Sequence, residues 1–425
     1  MSHDYVHAEE LTKVEGHATL TVRFTNGRVE HCELRAVEGS RYFEGILLHR
    51  HYVEASEITS RICGICSVAH VLASIQAAEN ALGVQPSEQT AALRVLLTLG
   101  EHIRSHAAHL YFFALPDYVG FPSAIAMAAD YRTEVGQAIA LLKLGNDIVR
   151  TIGGRDMHVV SATVGGFLKV PTAEQLDGLR ARLEQLKPAA VATAELFNSL
   201  PYPEFHHQAE HFSLHDDHKY ALLSGRIRSA GHEFAKEDYH RFLSEYQTPD
   251  NTANFVVREG HTYMVGSLPR VLNNGDQLSP DAKRFLKAGP LAKGSDNPLH
   301  NNVAQAIELV DALDHAVRIM EELRPKPEPV PNIAVREGRG VGAFEAPRGT
   351  LWHEYVLDGT GHITRANVIT PTAQNLRAME DDIRLMLPTL EGQSREEMVA
   401  ALERLIRAYD PCFSCSAHFL RVTWL

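Results

Sequence analysis

The sequence has 425 residues, of which 44% are hydrophobic and 22% are charged, so the chain is globular and can bury a large core. The 53 acidic against 41 basic residues give a formal charge of −12, which argues against nucleic acid or an anionic membrane as a partner. No apolar run approaches the roughly 20 residues that span a bilayer, and the N-terminus lacks a signal-peptide pattern. We therefore expect a cytoplasmic protein without membrane insertion.

The first predicted element is a β-hairpin within residues 1–40. Residues 17–37 alternate apolar and polar side chains around Asn26-Gly27, a dipeptide typical of tight hairpin turns. Helical spacing then predicts a helical bundle over residues 67–200. Its three long helical runs are predicted at residues 90–115, 124–152 and 172–200.

The rest of the chain predicts an irregular region followed by elements that close the fold. Residues 202–290 are rich in Pro, Gly, His and short β-like runs, whereas residues 300–418 read as helices and a hairpin. In that last part we expect a helix at 301–324, a hairpin at 349–370 and a helix at 394–410. The predicted fold class is mainly α (α+β): one domain over residues 1–425 with a large helical core and small β-elements near both ends.

Four of the five cysteines form two matched pairs at opposite ends of the chain. RICGICSVAH occupies residues 61–70 and DPCFSCSAH occupies residues 410–418. Paired cysteines in a cytoplasmic chain indicate metal or redox chemistry rather than disulfides. A zinc ribbon separates its pairs by roughly 15–20 residues, which disfavours a local zinc finger here. Spacing alone leaves structural zinc, an Fe–S cluster and a catalytic metal open.

The neighbours of the pairs favour more than a closed structural site. His70 and His418 follow the two pairs, and Asp410-Pro411 lead into the second. Such residues supply further ligands or support the first ones. Only Cys32 remains, so this chain cannot build a second cysteine-ligated cluster. A redox-active site would need a partner subunit to carry electrons away.

These two motifs resemble the Arg-x-Cys-Gly-x-Cys-x-x-x-His and Asp-Pro-Cys-x-x-Cys-x-x-His signatures of nickel–iron hydrogenase large subunits. Five further stretches follow the order of that family over essentially the whole chain. They are KVEGH at 13–17, RYFE at 41–44, SHAAHLY at 105–111, EAPRGTLWH at 345–353 and VITPTAQN at 368–375. The resemblance implies reversible heterolytic cleavage of H2 into protons and electrons.

The same resemblance implies that the four paired cysteines bind nickel. Cys66 and Cys415 would also bridge to an iron that carries cyanide and carbon monoxide, with Cys63 and Cys412 as terminal ligands. Thiolates are the soft donors that such a centre needs. Cys412 is implied to take the proton when H2 splits, and Glu15 to pass it outward. The alternative for Glu15 is a surface position on the hairpin.

Further residues are implied to surround the metals. Arg348 would lie over the open metal position, held by Asp410, and Thr372 would donate a hydrogen bond to a cyanide. The alternative for Arg348 is a surface arginine in a turn. Pro347, His70 and His106 would be supporting residues around the cofactor. The alternative for the two histidines is a buried histidine that is hydrogen-bonded within the core.

A third metal, magnesium, is implied near the C-terminus. Its ligands would be Glu44, the backbone carbonyl of Val368 and His418. Oxygen donors suit magnesium, and the one histidine is an unusual addition. Residues 419–425 are expected to be removed after nickel insertion, which would make His418 the last residue. An intact mass that retains Leu425 in the active enzyme would contradict this.

Two departures from the membrane-associated uptake members indicate the branch. Ser105 stands where those members carry an aspartate, and Tyr42 where many have glycine. Both resemble the cytoplasmic bidirectional branch, which couples H2 to NAD(P) or a similar soluble carrier. The implied partners are a small Fe–S subunit, diaphorase subunits with flavin and NAD(P), a nickel chaperone and a maturation protease. A regulatory H2-sensing homologue and a non-catalytic scaffold with a structural zinc remain the alternatives.

Two other motifs are predicted to carry no chemistry. GRGVGA at 338–343 fits a dinucleotide fingerprint, but Pro347 and Gly349 follow too closely for a helix to begin there. The histidine-rich residues 205–218 lack a catalytic metal-binding pattern, and we expect a solvated loop.

Overall fold

The computed structural model describes residues 4–8, 11–25, 28–37, 39, 42–249 and 251–417. Its α-helices are α1 Phe43–Leu47, α2 Tyr52–Thr59, α3 Ser67–Leu82, α4 Glu88–Ala108, α5 Leu115–Val119, α6 Ala124–Met127, α7 Arg132–Gly153, α8 Ala173–Ser199, α9 Ser267–Asn274, α10 Pro280–Ala288, α11 Asn301–Glu322, α12 Pro371–Met386, α13 Arg395–Ala408 and α14 Phe413–Ser416. Helices dominate and the sheets are small, so the predicted fold class is confirmed.

The strands form six small sheets in the described residues. They are β1 Asp4–Ala8, β2 Ala18–Thr25, β3 Arg28–Ala36, β4 Ala162–Thr163, β5 Gly166–Phe167, β6 Glu210–His211, β7 Ser213–His215, β8 Arg226–Arg228, β9 Glu233–Phe234, β10 Leu243–Tyr246, β11 Phe255–Arg258, β12 Tyr263–Met264, β13 Gly338–Ala346, β14 Gly349–Leu357 and β15 Ile363–Ile369. The three-stranded sheets have the orders β1-β2-β3, β7-β8-β9 and β13-β14-β15.

Four long helices pack against one another: α4, α7 and α8 from the predicted bundle region, and α11 from outside it. α4 begins where the Ser87 hydroxyl accepts a hydrogen bond from the Thr90 amide, and it continues into a π-helical turn at His109–Ala114. α8 runs through Pro188 without a break. The single run predicted at 124–152 is wrong, because α6 ends at Met127 and α7 starts at Arg132.

Both predicted hairpins form, and each gains a strand that the sequence pattern did not indicate. β2 pairs with β3 and also with β1, and β14 pairs with β15 and also with β13. The turn residues Asn26-Gly27 lie outside the described residues. Leu20 and Val22 alternate along β2 and are fully buried, which explains the apolar–polar pattern.

The GRGVGA motif packs a strand against a helix. It lies in β13, so the prediction that no helix begins there is confirmed. A Cβ on Gly338, Gly340 or Gly342 would lie 2.0–2.3 Å from the backbone carbonyl oxygens of Ala81, Ala77 and Ala73 on α3. Only glycine therefore allows β13 to lie this close to the helix that begins at the first cysteine pair.

The excursion at 202–290 consists mostly of short strands and turns, with α9 and α10 near its end. The solvated loop predicted at 205–218 is wrong over its centre, because Phe212, Leu214 and His215 are buried. Phe212 and Leu214 belong to a small second core that also contains Trp352 of β14. In the part of the chain that the structure describes, no helix combines the length and apolar character needed to cross a membrane.

Candidate metal centre

The N-terminal cysteine pair is held at the start of α3 by residues of α4. Cys66 is the residue that precedes the first turn of α3. The buried carboxylate of Glu101 accepts hydrogen bonds from the amides of Val68 (2.9 Å) and Ala69 (3.1 Å). Arg104 donates to the carbonyl oxygen of Ile65 at 2.7 Å. Both contacts fix the backbone on either side of Cys66, and Glu101 satisfies free N–H groups at the helix start.

The C-terminal pair lies at the short helix α14, just after α13: Cys412 precedes its first residue and Cys415 lies within it. Asp410 has a left-handed backbone with φ of 51°, which turns the chain into the pair. The Cys412 amide donates to Thr372 Oγ1 at 2.8 Å. The Phe413 amide donates to the backbone carbonyl oxygen of Glu15 at 2.9 Å. The N-terminal segment and α12 therefore hold the second pair from two sides.

The fold brings all four paired cysteines together, as the sequence predicted. Cys63 Sγ lies 3.6 Å from Cys412 Sγ, and Cys66 Sγ lies 3.4 Å from Cys415 Sγ. Cys412 Sγ and Cys415 Sγ are 2.6 Å apart, and all four sulfur atoms fall within 4.8 Å of one another. We call this group the sulfur tetrad. Each of its residues is buried.

The chemistry of the tetrad fits the nickel–iron group that the sequence resemblance implies. Burial raises the pKa of Cys412 and Cys415, because a charged thiolate is unfavourable in this dry space. Several thiolates can therefore coexist there only with cations that balance their charge. Sulfur donors select soft transition metals. Arg348 also faces the tetrad with a spare donor: its Nη1 is buried and has no hydrogen-bond partner among the described residues.

Glu15 lies against Cys412, in the position predicted for it. Its Oε2 is 2.9 Å from Cys412 Sγ and accepts a hydrogen bond from the Ser414 amide at 3.3 Å. Burial raises the pKa of Glu15, and the nearby Cys63 adds to this. Gly16 has φ of +82°, and a Cβ there would lie 2.7 Å from the Ser414 nitrogen. The glycine of the KVEGH motif thus permits the close approach.

Arg348 and Asp410 form the predicted buried pair. Arg348 Nε donates to Asp410 Oδ1 at 3.1 Å and to its backbone oxygen at 2.8 Å, and Nη2 lies 3.0 Å from Oδ1. Burial opposes the charge of Arg348, but Asp410 and the tetrad thiols outweigh it and hold the pKa of Arg348 above its ordinary value. Gln305 donates to the other Asp410 oxygen at 3.1 Å.

The other predicted cofactor residues lie around this core. Pro347 adjoins Arg348 and is buried, and Thr372 Oγ1 accepts a hydrogen bond from the Cys412 amide, a contact that does not use the hydroxyl proton predicted to bond to a cyanide. His70 Nδ1 lies 3.1 Å from His353 Nε2, and His353 Nδ1 lies 2.8 Å from the Tyr355 hydroxyl. His70 thus begins a chain of buried polar groups on the α3 side.

The structure places Glu44 beside Val368, but the contact is with the Val368 amide and not with the carbonyl group predicted to bind magnesium. Glu44 Oε1 accepts a hydrogen bond from the Val368 amide at 2.7 Å. Burial raises the pKa of Glu44 to about 8. His418 lies outside the described residues, as do residues 419–425 of the predicted cleavable tail, so the processing of the tail stays a prediction.

A second buried polar cluster was not predicted as a unit. His106 Nε2 lies 2.9 Å from Glu308 Oε2. A ring nitrogen of His102 lies within 4.8 Å of potential ligand atoms of both residues. Arg270 donates to both Glu308 oxygens, at 2.6 and 2.8 Å. The Tyr220 hydroxyl donates to Glu308 at 2.6 Å. His106 therefore belongs to this cluster, and Arg270 and Glu308 are the residues that motif reading missed.

Known proteins with similar sequences and structures identify the family of this chain. A family model described as nickel-dependent hydrogenase matches residues 41–148 and 295–418, which contain both cysteine pairs. The chain therefore belongs to the nickel-dependent hydrogenase family, as a large subunit with the four-cysteine metal site.

Individual relatives extend the likeness over nearly the whole chain. Sulfhydrogenase 1 subunit alpha of Pyrococcus furiosus is 36% identical over 420 residues, which are 97% of this chain and 98% of that protein. NAD-reducing hydrogenase HoxS subunit beta of Cupriavidus necator is 28% identical over 467 residues, covering 97% and 94%. A crystal structure of an NAD+-reducing [NiFe]-hydrogenase in the H2-reduced state superposes with a TM-score of 0.89 at 28% identity, covering 98% of this chain and 99% of that one.

Proposed function

We propose that this chain is the catalytic subunit of an NAD(P)-linked [NiFe] hydrogenase that converts H2 reversibly into two protons and two electrons. The observation that carries the proposal is the buried sulfur tetrad with Glu15 Oε2 2.9 Å from Cys412 Sγ. When bound to the tetrad, the nickel–iron group supplies the Lewis-acid and redox chemistry for splitting H2. The protein residues bind that group, exclude water and move the proton.

In this proposal the proton leaves through Cys412 and Glu15. A proton on Cys412 Sγ has Glu15 Oε2 as its acceptor at hydrogen-bond distance. The raised pKa of Glu15, caused mainly by burial, lets the carboxyl group hold that proton for transfer instead of staying permanently ionised. The bond from the Ser414 amide fixes the carboxyl group beside the sulfur atom.

Arg348 is proposed to supply a fixed positive charge and a hydrogen-bond donor over the metal group. Asp410 holds two of its nitrogens, and the third, Nη1, keeps its donor free in the described part of the site. A preorganised donor in a dry site stabilises developing negative charge without rearrangement. Thr372 is proposed to orient Cys412 through its amide.

The electrons are proposed to leave through a small Fe–S subunit and then diaphorase subunits with flavin and NAD(P). Outside the tetrad the chain has one cysteine, Cys32, which is buried and bonded to the Glu380 carbonyl oxygen. The chain therefore has too few thiols outside the tetrad to bind an Fe–S cluster through cysteines. Relatives are named as subunits of larger hydrogenases, one of them NAD-reducing. A nickel chaperone, a maturation protease and a cytoplasmic location complete this part of the proposal.

Magnesium is proposed at Glu44 and Val368 with His418. The support is the high pKa of Glu44, which burial raises to about 8, because a nearby divalent cation would stabilise the ionised carboxylate. Metal analysis after purification in magnesium-free buffer tests this site independently of the tetrad.

Infrared spectroscopy of the purified complex, expressed with maturation proteins, tests the function. We expect CO and CN stretching bands, one nickel per catalytic subunit with iron in excess of nickel because the partner Fe–S clusters add to it, and H2-dependent NAD(P) reduction. One zinc per chain with neither nickel nor iron would identify a structural zinc scaffold and contradict the proposal. The expected metals and bands with only trace turnover would indicate an H2 sensor instead.

The Glu15→Gln variant tests the proton route within the same preparation. Glutamine keeps the size and the contact with Ser414 but cannot take up a proton, so we expect kcat to fall by about 10²–10⁴-fold. Metal content and infrared bands should match those of the unchanged protein. Full activity in Glu15→Gln would exclude this carboxyl group from the route.

A further inference from the structure

Helix α11 carries a line of buried polar side chains that its sequence does not need for helix formation. Asn301, Gln305 and Glu308 are spaced by four and three residues, so they lie on one face of the helix. Their exposed fractions are 2%, 0% and 2%. We call these three residues the polar stripe of α11. Buried polar groups are costly unless they are bonded, so the partners indicate what the stripe does.

One set of partners lies in the segment that leads into the C-terminal cysteine pair. Asn301 Nδ2 donates to the Ala408 carbonyl oxygen at 2.8 Å. Gln305 Nε2 donates to Asp410 Oδ2 at 3.1 Å, and its amide oxygen lies 2.6 Å from His109 Nδ1. The stripe therefore holds both the backbone before Asp410 and the carboxylate that pairs with Arg348.

The other set of partners lies in the turn that carries Arg348, between β13 and β14. Glu308 binds Arg270 through two hydrogen bonds, and Arg270 also donates to this turn, to Glu345 Oε2 at 3.2 Å and to Ser267 Oγ at 3.0 Å. Arg270 Nη1 donates to the Ala346 carbonyl oxygen and Nη2 to that of Pro347, both at 2.8 Å. One guanidinium group thus anchors the two residues immediately before Arg348.

We propose that the polar stripe of α11, together with Arg270, positions Arg348 over the tetrad by holding its turn and its Asp410 partner on one rigid helix. Gln305, Glu308 and Arg270 are positioning residues, since they act through Asp410 and the Arg348 turn and not through the tetrad. Arg270 lies between the Glu308 and Glu345 carboxylates, at 2.6 and 3.2 Å, so its guanidinium supplies the positive charge of this cluster without a metal.

Rigid placement matters because the Arg348 guanidinium can stabilise charge at the metal group only from one position. A shift of about 1 Å in a positioned catalytic group can cost about 100-fold in rate. A helix face is a stiffer support than the turn itself, and two independent contacts restrict both ends of the Arg348–Asp410 pair. This inference rests on the proposed function for its kinetic readout but not for its structural readout.

The test compares Gln305→Met, Arg270→Lys and Thr193→Val. Methionine matches glutamine in length but loses the donor to Asp410, and lysine cannot reach all the acceptors of Arg270. Thr193→Val is the control, because it removes buried hydrogen bonds of α8 that involve neither Arg348 nor Asp410: those of the Thr193 hydroxyl with the Tyr111 hydroxyl and with the Ala189 carbonyl oxygen, both 2.7 Å.

For Gln305→Met we expect kcat about 10–100-fold lower. We also expect an unchanged KM for H2 and shifted CN stretching bands. Arg270→Lys should increase hydrogen–deuterium exchange of the amides of Ala346 and residues 348–350, with or without bound metals, and Thr193→Val should change none of these. Gln305→Met supplies the result if Arg270→Lys does not fold.

Unchanged bands and unchanged kcat in Gln305→Met would overturn the proposal. Equal band shifts in Thr193→Val would do the same, because they would reduce the effect to general loss of stability. If the unsubstituted complex lacks CO and CN bands, the proposed function fails, and faster exchange of these amides in either site variant still supports the positioning role.

Discussion

The sulfur tetrad and the cluster around Glu308 are both buried, and each brings potential metal-ligand atoms within 4.8 Å. They differ in charge. Arg270 donates two hydrogen bonds to Glu308, and burial lowers the pKa of His102 to about 3, so that histidine is neutral. The tetrad has four thiols, and the guanidinium next to it belongs to Arg348. That guanidinium already pairs with Asp410, so its charge is not available to balance thiolates.

Short distances between ligand atoms identify both clusters as candidate metal sites, and charge balance distinguishes them. A buried carboxylate with its own guanidinium is satisfied, so a cation placed there would displace existing bonds. Four neutral thiols need no counter-charge, but thiolates in this buried space need cations, and Arg348 is already paired with Asp410. One cluster is therefore built to bind metal and the other to hold the chain in place.

Removing a tetrad sulfur should produce the largest effect. For Cys63→Ser we expect nickel affinity to fall by more than about 100-fold, because a direct ligand counts for more than the supporting groups that cost 10–100-fold. Hydrogenase activity should fall below detection, whereas His106→Ala should retain nickel and iron. Metal analysis of both purified variants is the measurement. Equal metal loss in the two would remove the distinction between the clusters.

Removing the charge of Glu308 should affect stability instead of metal content. Glu308→Gln leaves Arg270 buried with an incomplete counter-charge, which costs about 3–5 kcal/mol of unfolding free energy. Thermal unfolding should show this loss, and elemental analysis should show normal nickel and iron. Glu79→Gln is the matched control, since it breaks the buried Glu79–Arg94 pair elsewhere. A loss of metal confined to Glu308→Gln would give the second cluster a metal-binding role.

The pH dependence of Glu101 should give the smallest effect. Burial raises the pKa of Glu101 to about 7, so the folded protein favours its protonated form. Its stabilising contribution is complete below the ordinary glutamate pKa and is lost as the pH rises through about 7. The loss is roughly 3 kcal/mol, at 1.36 kcal/mol for each pKa unit. Unfolding midpoints at pH 5 and pH 8 should therefore differ less for Glu101→Gln than for the unchanged protein.

A Glu101→Gln variant with the full pH dependence of the unchanged protein would contradict that assignment. Glu308 provides the contrast. Burial acts against its ionised form, but Arg270 outweighs this and holds the pKa of Glu308 well below its ordinary value. Its contribution to stability is therefore present at neutral pH and lost only in acid.

The sequence predicted the tetrad because the chain has only two Cys-x-x-Cys motifs, so each pair has only the other with which to form a four-cysteine site. It also predicted α11 from its apolar spacing, but not the role of Gln305 and Glu308 on that helix. In a surface helix such residues face water, and only contacts with Arg270 and Asp410, far away in the chain, reveal the opposite. Arg270 itself stands in no motif, so spacing could not indicate it.

The strand at β13 was missed for a related reason. Glycines weaken a strand pattern, and Gly338, Gly340 and Gly342 read as a loop unless the helix that approaches them is known. The histidine-rich stretch failed in the opposite direction, since a polar composition concealed the buried Phe212 and Leu214. Both errors come from long-range packing, which local patterns do not contain.

The contact between Glu15 and Cys412 joins residues 397 positions apart, and Cys63 meets Cys412 across 349 positions. Contacts of such high contact order form late, because the entropy of closing a long loop must be offset first. A partly folded chain therefore presents only two of the four thiols together. Metal occupancy of the tetrad thus reports that the two ends of the chain have met, and it stabilises only the completed fold.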